Sequence, residues 1–311
     1  MRVVFLGSDR WSVPSLRALA ESPHEVELVA TREPKPAGRG SKLTPTPVAD
    51  AARELDLPLA EVPTVKSGGG FERLEAARPE VLVVVAYGEI LPAAVLELPS
   101  VAPVNLHFSL LPELRGAAPV ERAILEGMTA TGVTTIRMDE GMDTGPILLR
   151  AEEAIDPEDD AGSLGERLAA LGARTLVDTI DRLAAGALEE TPQDGALATV
   201  APKLTADDRW LDWTRSAAEL ERKVRALSPE PAASTRFRHD LLKVFRVTVR
   251  DETGQPGEVV VVGKDGFVVA AGEGSVAPLE VAPAGRKRMS AADFVRGYRP
   301  AVGDRLGADH R

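Results

Sequence analysis

Val81-Leu82-Val83-Val84-Val85-Ala86 and Ala102-Pro103-Val104-Asn105-Leu106-His107 are short apolar runs in which hydrophobic residues hardly alternate with polar ones. A strand with one wet face alternates, whereas a strand buried on both faces reads as a near-continuous apolar run. The same signature recurs at Arg2–Leu6, Val26–Thr31 and Val133–Met138. Between these runs lie helical patterns at Val13–Glu21, Pro47–Leu55, Phe71–Ala77 and Ala118–Glu126. Alternating strands and helices imply right-handed βαβ units and a doubly wound, parallel, Rossmann-like sheet. Ligands on such sheets bind beyond the carboxyl ends of the strands. Asn105 and His107 end one strand. Asp143 follows another, within Asp139-Glu140-Gly141-Met142-Asp143-Thr144-Gly145, so the three can converge.

Farther along, Ser163–Ala185 reads as a long helix with Ser163 as its N-cap and Gly186 beyond its end. Residues 187–206 (ALEETPQDGALATVAPKLTA) are rich in Pro, Gly and small residues and read as a linker. A helix at Ser216–Ala226 then precedes strand-like runs at Leu241–Val249, Glu258–Val262, Gly266–Ala271 and Val276–Val281. Short strands with Gly and Asp at the turns suggest a small, OB-like β-barrel. Ser290 with Asp293 marks a capped final helix. The expected division is an α/β domain over 1–186, a linker over 187–206 and a barrel domain over 207–311.

The chain has no cysteine, which excludes a thiol nucleophile, a Cys-ligated zinc site and disulfides. Its four histidines, His24, His107, His239 and His310, lack metal-ligand spacing, so no metal is expected. Met1–Gly7 is too short and no later stretch is long enough for a membrane span, and a soluble, cytoplasmic protein without a membrane partner is expected. The net charge of -11 argues against a general nucleic-acid binder. The charge is unevenly placed, however. Residues 203–311 hold 19 Lys/Arg and 16 Asp/Glu, whereas residues 1–202 hold 18 and 32. Either the two halves simply have different solvated surfaces, or the C-terminal part meets a polyanion.

Several familiar motifs are absent. Gly7-Ser8-Asp9-Arg10-Trp11 lacks the second and third glycines of a dinucleotide fingerprint. Gly38-Arg39-Gly40-Ser41-Lys42 has phosphate-loop letters in the wrong order, and Asp139…Asp143…Gly145 lacks the terminal Glu of a calcium loop. Ser109, His107 and Asp143 do not make a hydrolase triad, because no G-x-S-x-G elbow is present and Ser109 lies two residues from His107. What remains is an amide, an imidazole and a carboxylate. That set suits acyl transfer to an amine without a covalent enzyme intermediate: the amide donates to an oxyanion, and the other two move protons.

Asn105-Leu106-His107-Phe108-Ser109-Leu110-Leu111-Pro112 and Asp139–Gly145 resemble the motifs of the 10-formyltetrahydrofolate-dependent formyltransferases. Pro36–Leu43 with Pro45-Thr46-Pro47-Val48, Arg115-Gly116-Ala117-Ala118-Pro119 and Trp210-Leu211-Asp212-Trp213 resemble the branch of that family that formylates methionyl-tRNA. The resemblance implies a formyl transfer from 10-formyltetrahydrofolate to initiator methionyl-tRNA for translation initiation, with no metal. It makes Asn105, His107 and Asp143 the catalytic set. It places Ser109, Leu110, Leu111 and Pro112, with Tyr87, Gly88, Ile90 and Leu91, around the folate, where backbone groups of an extended loop would pair with the pterin. It gives Arg39 and Lys42 to the tRNA end, and residues 32–42 carry Arg32, Lys35, Arg39 and Lys42 against Glu33 alone. A monomer suffices for all of this. Ser8-Asp9-Arg10-Trp11 and Ser228-Pro229-Glu230-Pro231 depart from the pattern, the former beside the expected amino-acid pocket. Hydrolysis of the formyl folate, N-formylation of an amino sugar, and a silent RNA binder are the competing readings. The Gly38–Leu43 loop opposes the first two and the intact trio opposes the third.

Overall fold

The computed structural model describes residues 1–37 and 42–307, which divide into two compact units. The first comprises Met1–Pro119, Ala130–Ala154 and Gly165–Pro202. The second comprises Val120–Thr129, Ile155–Leu164 and Lys203–Arg311.

The first unit is built on a sheet of β1 (Arg2–Gly7), β2 (Glu25–Arg32), β5 (Leu59–Val62), β6 (Val81–Val85), β7 (Ala102–His107), β8 (Ala130–Arg137) and β9 (Ile147–Ala154), in the order β5-β2-β1-β6-β7-β8-β9. A separate hairpin joins β3 (Lys35–Ala37) to β4 (Lys42–Thr44). Val3, Phe5, Val83, Val85 and Val104 are fully buried, as are Val4, Leu6 and Leu82, their neighbours on the opposite face. Each such side chain contributes roughly 1.5–3 kcal/mol by leaving water, and burial of both faces is why these strands show little alternation. α1 (Val13–Ala20), α2 (Pro47–Glu54), α3 (Gly68–Ala76) and α4 (Ala93–Leu96) follow the strands, with Thr46 capping α2 through its side chain. Leu59–Val62 and Ile147–Ala154 were not foreseen as strands. Both alternate or end in charge, as edge strands with a wet face do.

The sheet is parallel from β5 to β7, but β8 runs antiparallel to β7, and β9 antiparallel to β8. The carboxyl end of β8 therefore lies beside Val104, the partner of Arg137, rather than beyond His107, which pairs with Thr134. The loop after β8 has to reach back to bring Asp143 to the strand end.

α5 (Pro119–Leu125) starts in the first unit and continues into the second, and α6 (Ala161–Ala184) does the reverse. The start of α6 differs from the sequence reading. Asp160, not Ser163, is the cap: Ser163 N donates to Asp160 Oδ1 at 2.9 Å and Asp160 N donates to Ser163 Oγ at 3.1 Å. This reciprocal pair satisfies two backbone donors, so Ser163 occupies the third helical position. Gly186 follows the helix with φ 62°, as expected. Leu106 packs on α6 at Gly172, and Thr135 bonds Thr179 at 2.8 Å. α6 thus covers the sheet face opposite Asn105 and His107, because side chains alternate along β7.

In the second unit, α7 (Ala217–Ala226) begins with a complete capping box of Ser216 and Glu219. An antiparallel sheet follows, β10 (Ala233–Phe237), β11 (Asp240–Arg250), β12 (Val259–Gly263), β13 (Gly266–Ala270), β14 (Ser275–Pro283) and β15 (Met289–Ser290), with β10-β11-β14-β13-β12 in order and β15 on β14. Its edges are joined through Arg305 and Leu306, which bridge Glu258 and Phe237. This closure gives the barrel-like form that the short strands suggested and leaves few open edges. α8 (Ala291–Tyr298), capped by Ser290, places Phe294 5.3 Å from Phe237 and 5.4 Å from Phe267. Among the described residues no helix is long and apolar enough to cross a membrane.

Candidate active site

β7 delivers Asn105 and His107 from the same face. His107 is buried, and its Nε2 lies 2.9 Å from the carbonyl oxygen of Leu114. A carbonyl only accepts, so Nε2 carries a hydrogen and Nδ1 is the nitrogen open to a proton. Nδ1 lies 3.6 Å from Asp143 Oδ2.

Asp143 is the hub. Asn105 Nδ2 donates to its Oδ1 at 3.4 Å, and the backbone N of Gly116 donates to its Oδ2 at 2.9 Å. Asp143 itself adopts φ 55°, a left-handed conformation that costs a non-glycine residue about 1–2 kcal/mol. The loop that imposes it explains the spacing of its motif. Asp139 Oδ1 accepts from Gly141 N at 3.0 Å and from Thr144 Oγ1 at 2.7 Å, so Asp139 is spent on the turn. Gly145 has no room for a Cβ, which would sit 1.8 Å from the carbonyl oxygen of Arg137. Gly116 (φ 123°) is similarly constrained, a Cβ there meeting Ala201 O at 2.7 Å. Sequence reasoning missed one neighbour. Gln193, within the stretch read as a linker, bonds the backbone on either side of Thr144. The only signal for it was the Pro192-Gln193 pair itself, which carries no chemistry by letters alone.

A cleft of about 360 Å³ opens at the carboxyl ends of β1, β2 and β6, lined among others by Ser8, Asp9, Arg32, Lys35, Thr46, Tyr87 and Gly88. Arg32 pairs with Glu89 at 2.9 Å. Burial, and secondly the charge of Glu89, push the Tyr87 hydroxyl up to about 12. Val84 pairs with Asn105, so the cleft and the trio share one edge of the sheet.

The expected folate contacts divide. Gly88 and Tyr87 line the cleft and Ile90 is 72% exposed, but Tyr87 and Leu91 are both buried in the core with Leu82 and Val95. Ser109 and Leu111 are fully buried. Thr134 Oγ1 donates to Ser109 O at 2.7 Å and accepts from Leu111 N at 3.1 Å. Leu110 packs at Gly132, and Pro112 follows a cis bond. Arg39 lies outside the described residues, and Lys42 opens β4. Among the described residues no group of three or more His, Asp or Glu is arranged to hold a metal ion.

Asn105, His107 and Asp143 thus bring together an amide, an imidazole and a carboxylate, a set suited to group transfer. The chain belongs to the formyl transferase family, whose "Formyl transferase" domain matches residues 1–180 and whose "Formyl transferase, C-terminal domain" matches residues 203–299. It is 41% identical over 307 residues to the methionyl-tRNA formyltransferase of Geobacter sulfurreducens, covering 99% of this chain and 97% of that one. It is 43% identical over 309 residues to the protein of the same name from Pseudomonas paraeruginosa, covering 99% and 100%. Among solved structures, HypX from Aquifex aeolicus in complex with tetrahydrofolic acid shares the fold, with a TM-score of 0.66 at 18% identity, over 98% of this chain and 48% of that chain.

Proposed function

We propose that the chain transfers the formyl group of 10-formyltetrahydrofolate to the α-amino group of methionyl-tRNA. The observation that carries the reading is the Asn105–His107–Asp143 cluster in a chain similar over its whole length to methionyl-tRNA formyltransferases. The amine nitrogen attacks the formyl carbon, whose oxygen becomes an oxyanion. Asn105 Nδ2 has a second hydrogen to donate to it, and such donors supply roughly 10²–10³ in rate. The Nδ1 of His107 takes the proton that the amine loses, and Asp143 holds the resulting positive charge. The folate N10–carbonyl bond then breaks and the proton passes to that nitrogen, leaving tetrahydrofolate and the N-formylated aminoacyl-tRNA. Acid–base assistance of this kind contributes about 10²–10⁴-fold.

The cleft at Tyr87 and Gly88, with exposed Ile90, receives the folate or the aminoacyl end. Arg39 and Lys42, with the more basic C-terminal domain, bind the tRNA backbone in the cytoplasm as a single chain. The test is formyl transfer to methionine-charged initiator tRNA, with uncharged tRNA as control and free formate counted. Charging-dependent formyl-methionyl product supports the reading. Formate without product moves the chain to hydrolysis, and product on an amino sugar alone moves it to sugar N-formylation.

A further inference from the structure

Gln193 uses its whole amide within a few ångströms of the site. Its Nε2 donates to the carbonyl oxygens of Asp143 at 2.8 Å and Gly145 at 2.7 Å. Its Oε1 accepts from Arg115 Nε at 3.1 Å and Nη2 at 2.7 Å. The amide orientation follows from the partners, because carbonyls only accept and a guanidinium only donates. Arg115 is next to Gly116, whose N–H holds the Asp143 carboxylate, and next to Leu114, whose carbonyl holds His107.

The stretch around Gln193 is stitched at both ends to the same loops. Ile147 and Thr191 exchange backbone hydrogen bonds at 2.8 and 2.9 Å. Arg115 N donates to Thr199 O at 2.9 Å, Ala201 N donates to Arg115 O at 2.7 Å, and Leu114 N donates to Thr199 Oγ1 at 2.8 Å. A segment that only tethers two domains needs none of these bonds. We propose that residues 191–201 form a strap on the first unit and that Gln193 is a positioning residue, clamping the backbone of Asp143 so that its carboxylate stays against His107 and Asn105. The role rests on the reading of Asp143 as part of the catalytic set.

Gln193→Glu separates the two halves of the clamp. A carboxylate still pairs with Arg115 but cannot donate to Asp143 O or Gly145 O. A displacement of about 1 Å at a reacting group can cost about 100-fold, so kcat is expected to fall about 10- to 100-fold. The KM values for folate and tRNA should stay within about threefold, because the clamp touches neither ligand. The decisive measurement is a double-mutant cycle with Asp143→Ala. If Gln193 acts through Asp143, adding Gln193→Glu to Asp143→Ala lowers kcat by less than about threefold. The same 10- to 100-fold loss in both backgrounds would make Gln193 a structural residue only and overturn the proposal, as would an unchanged kcat for Gln193→Glu alone. Gln193→Met, of similar size but without hydrogen-bonding groups, should reproduce the kcat loss if it folds. Should the wild-type chain release formate or formylate another amine, the same cycle is run on that reaction. Failure of the assigned acceptor is thereby distinguished from failure of the clamp.

Discussion

Asp143→Asn is the substitution whose effect the geometry defines best. Both carboxylate oxygens accept from N–H donors, Asn105 Nδ2 on Oδ1 and Gly116 N on Oδ2. An asparagine has one oxygen, so whichever way it turns, one contact becomes donor against donor. The negative charge is lost as well. At the 3.6 Å between Asp143 Oδ2 and His107 Nδ1, a unit charge pair is worth about 4–5 kcal/mol at an effective dielectric of about 20. The Asp143 side chain is 18% exposed, and solvent takes back a share, leaving about 2–4 kcal/mol. Only the step in which His107 is positively charged feels this difference, so the loss falls on kcat and amounts to about 30- to 900-fold. The assay is single-turnover formylation of methionyl-tRNA at saturating folate, with thermal melting to confirm the fold. A rate within tenfold of wild type in a folded variant would refute the assignment of charge stabilisation to Asp143.

The loop that carries Asp143 is tested by Gly145→Ala: a methyl 1.8 Å from Arg137 O forces the backbone to shift. We expect about 1–3 kcal/mol of lost stability, read as a lower Tm, together with a fall in formyl transfer; an unchanged Tm contradicts the packing. His24 is held below the usual histidine range by burial and then by the N-terminal ammonium, against the pull of Asp181. The unfolded chain therefore binds this proton more readily, and His24 contributes stability above pH 6.5 that is lost as pH falls through 6.5 and on through the lower folded value. His24→Gln should flatten the fall in Tm between neutral and mildly acidic pH, and an equally steep fall would remove His24 as its cause. Arg39→Ala should weaken tRNA binding and reduce the salt dependence, as a slope in log Kd against log salt, by about 1. Reduced folate binding with tRNA use intact would show that the loop was assigned to the wrong ligand.

Strands buried on both faces were legible because nothing but an apolar run survives there. Ala102–His107 has the bounds read from sequence, and Val81–Val85 is one residue shorter. The direction of β8 was not legible, since an apolar run is the same read parallel or antiparallel, and only pairing with Val104 to His107 decides it. The cap at Asp160 was hidden because Asp160 and Ser163 are both good capping letters, and the reciprocal hydrogen bonds alone choose between them. That Asn105, His107 and Asp143 come together was legible because each carries a polar group at a strand end or in the loop that follows a strand. Ser109 and Leu111 show the converse case, since their surroundings could not be read from the motif. Thr134, a residue of β8 far off in sequence, bonds Ser109 O and Leu111 N, and no letter of the motif announces that contact.

Placement of the carboxylate is the costly element of this site, and the distribution of glycine and amide side chains around it follows from that. Because β8 runs antiparallel, its loop leaves the sheet near Val104 and has to turn sharply to present Asp143 at His107. The turn consumes Asp139 and Thr144 as internal partners, excludes any side chain at Gly145, and holds Asp143 at a positive φ. A conformation that costs energy locally persists only when the surroundings over-determine it. Gly116 N fixes the carboxylate from one side and Gln193 fixes its backbone from the other, both joined through Arg115 and the strap at Thr199. Arg115-Gly116 and Gln193 thus hold the Asp143 loop where its carboxylate meets His107 and Asn105, although none of them contacts those two side chains through an acid–base group.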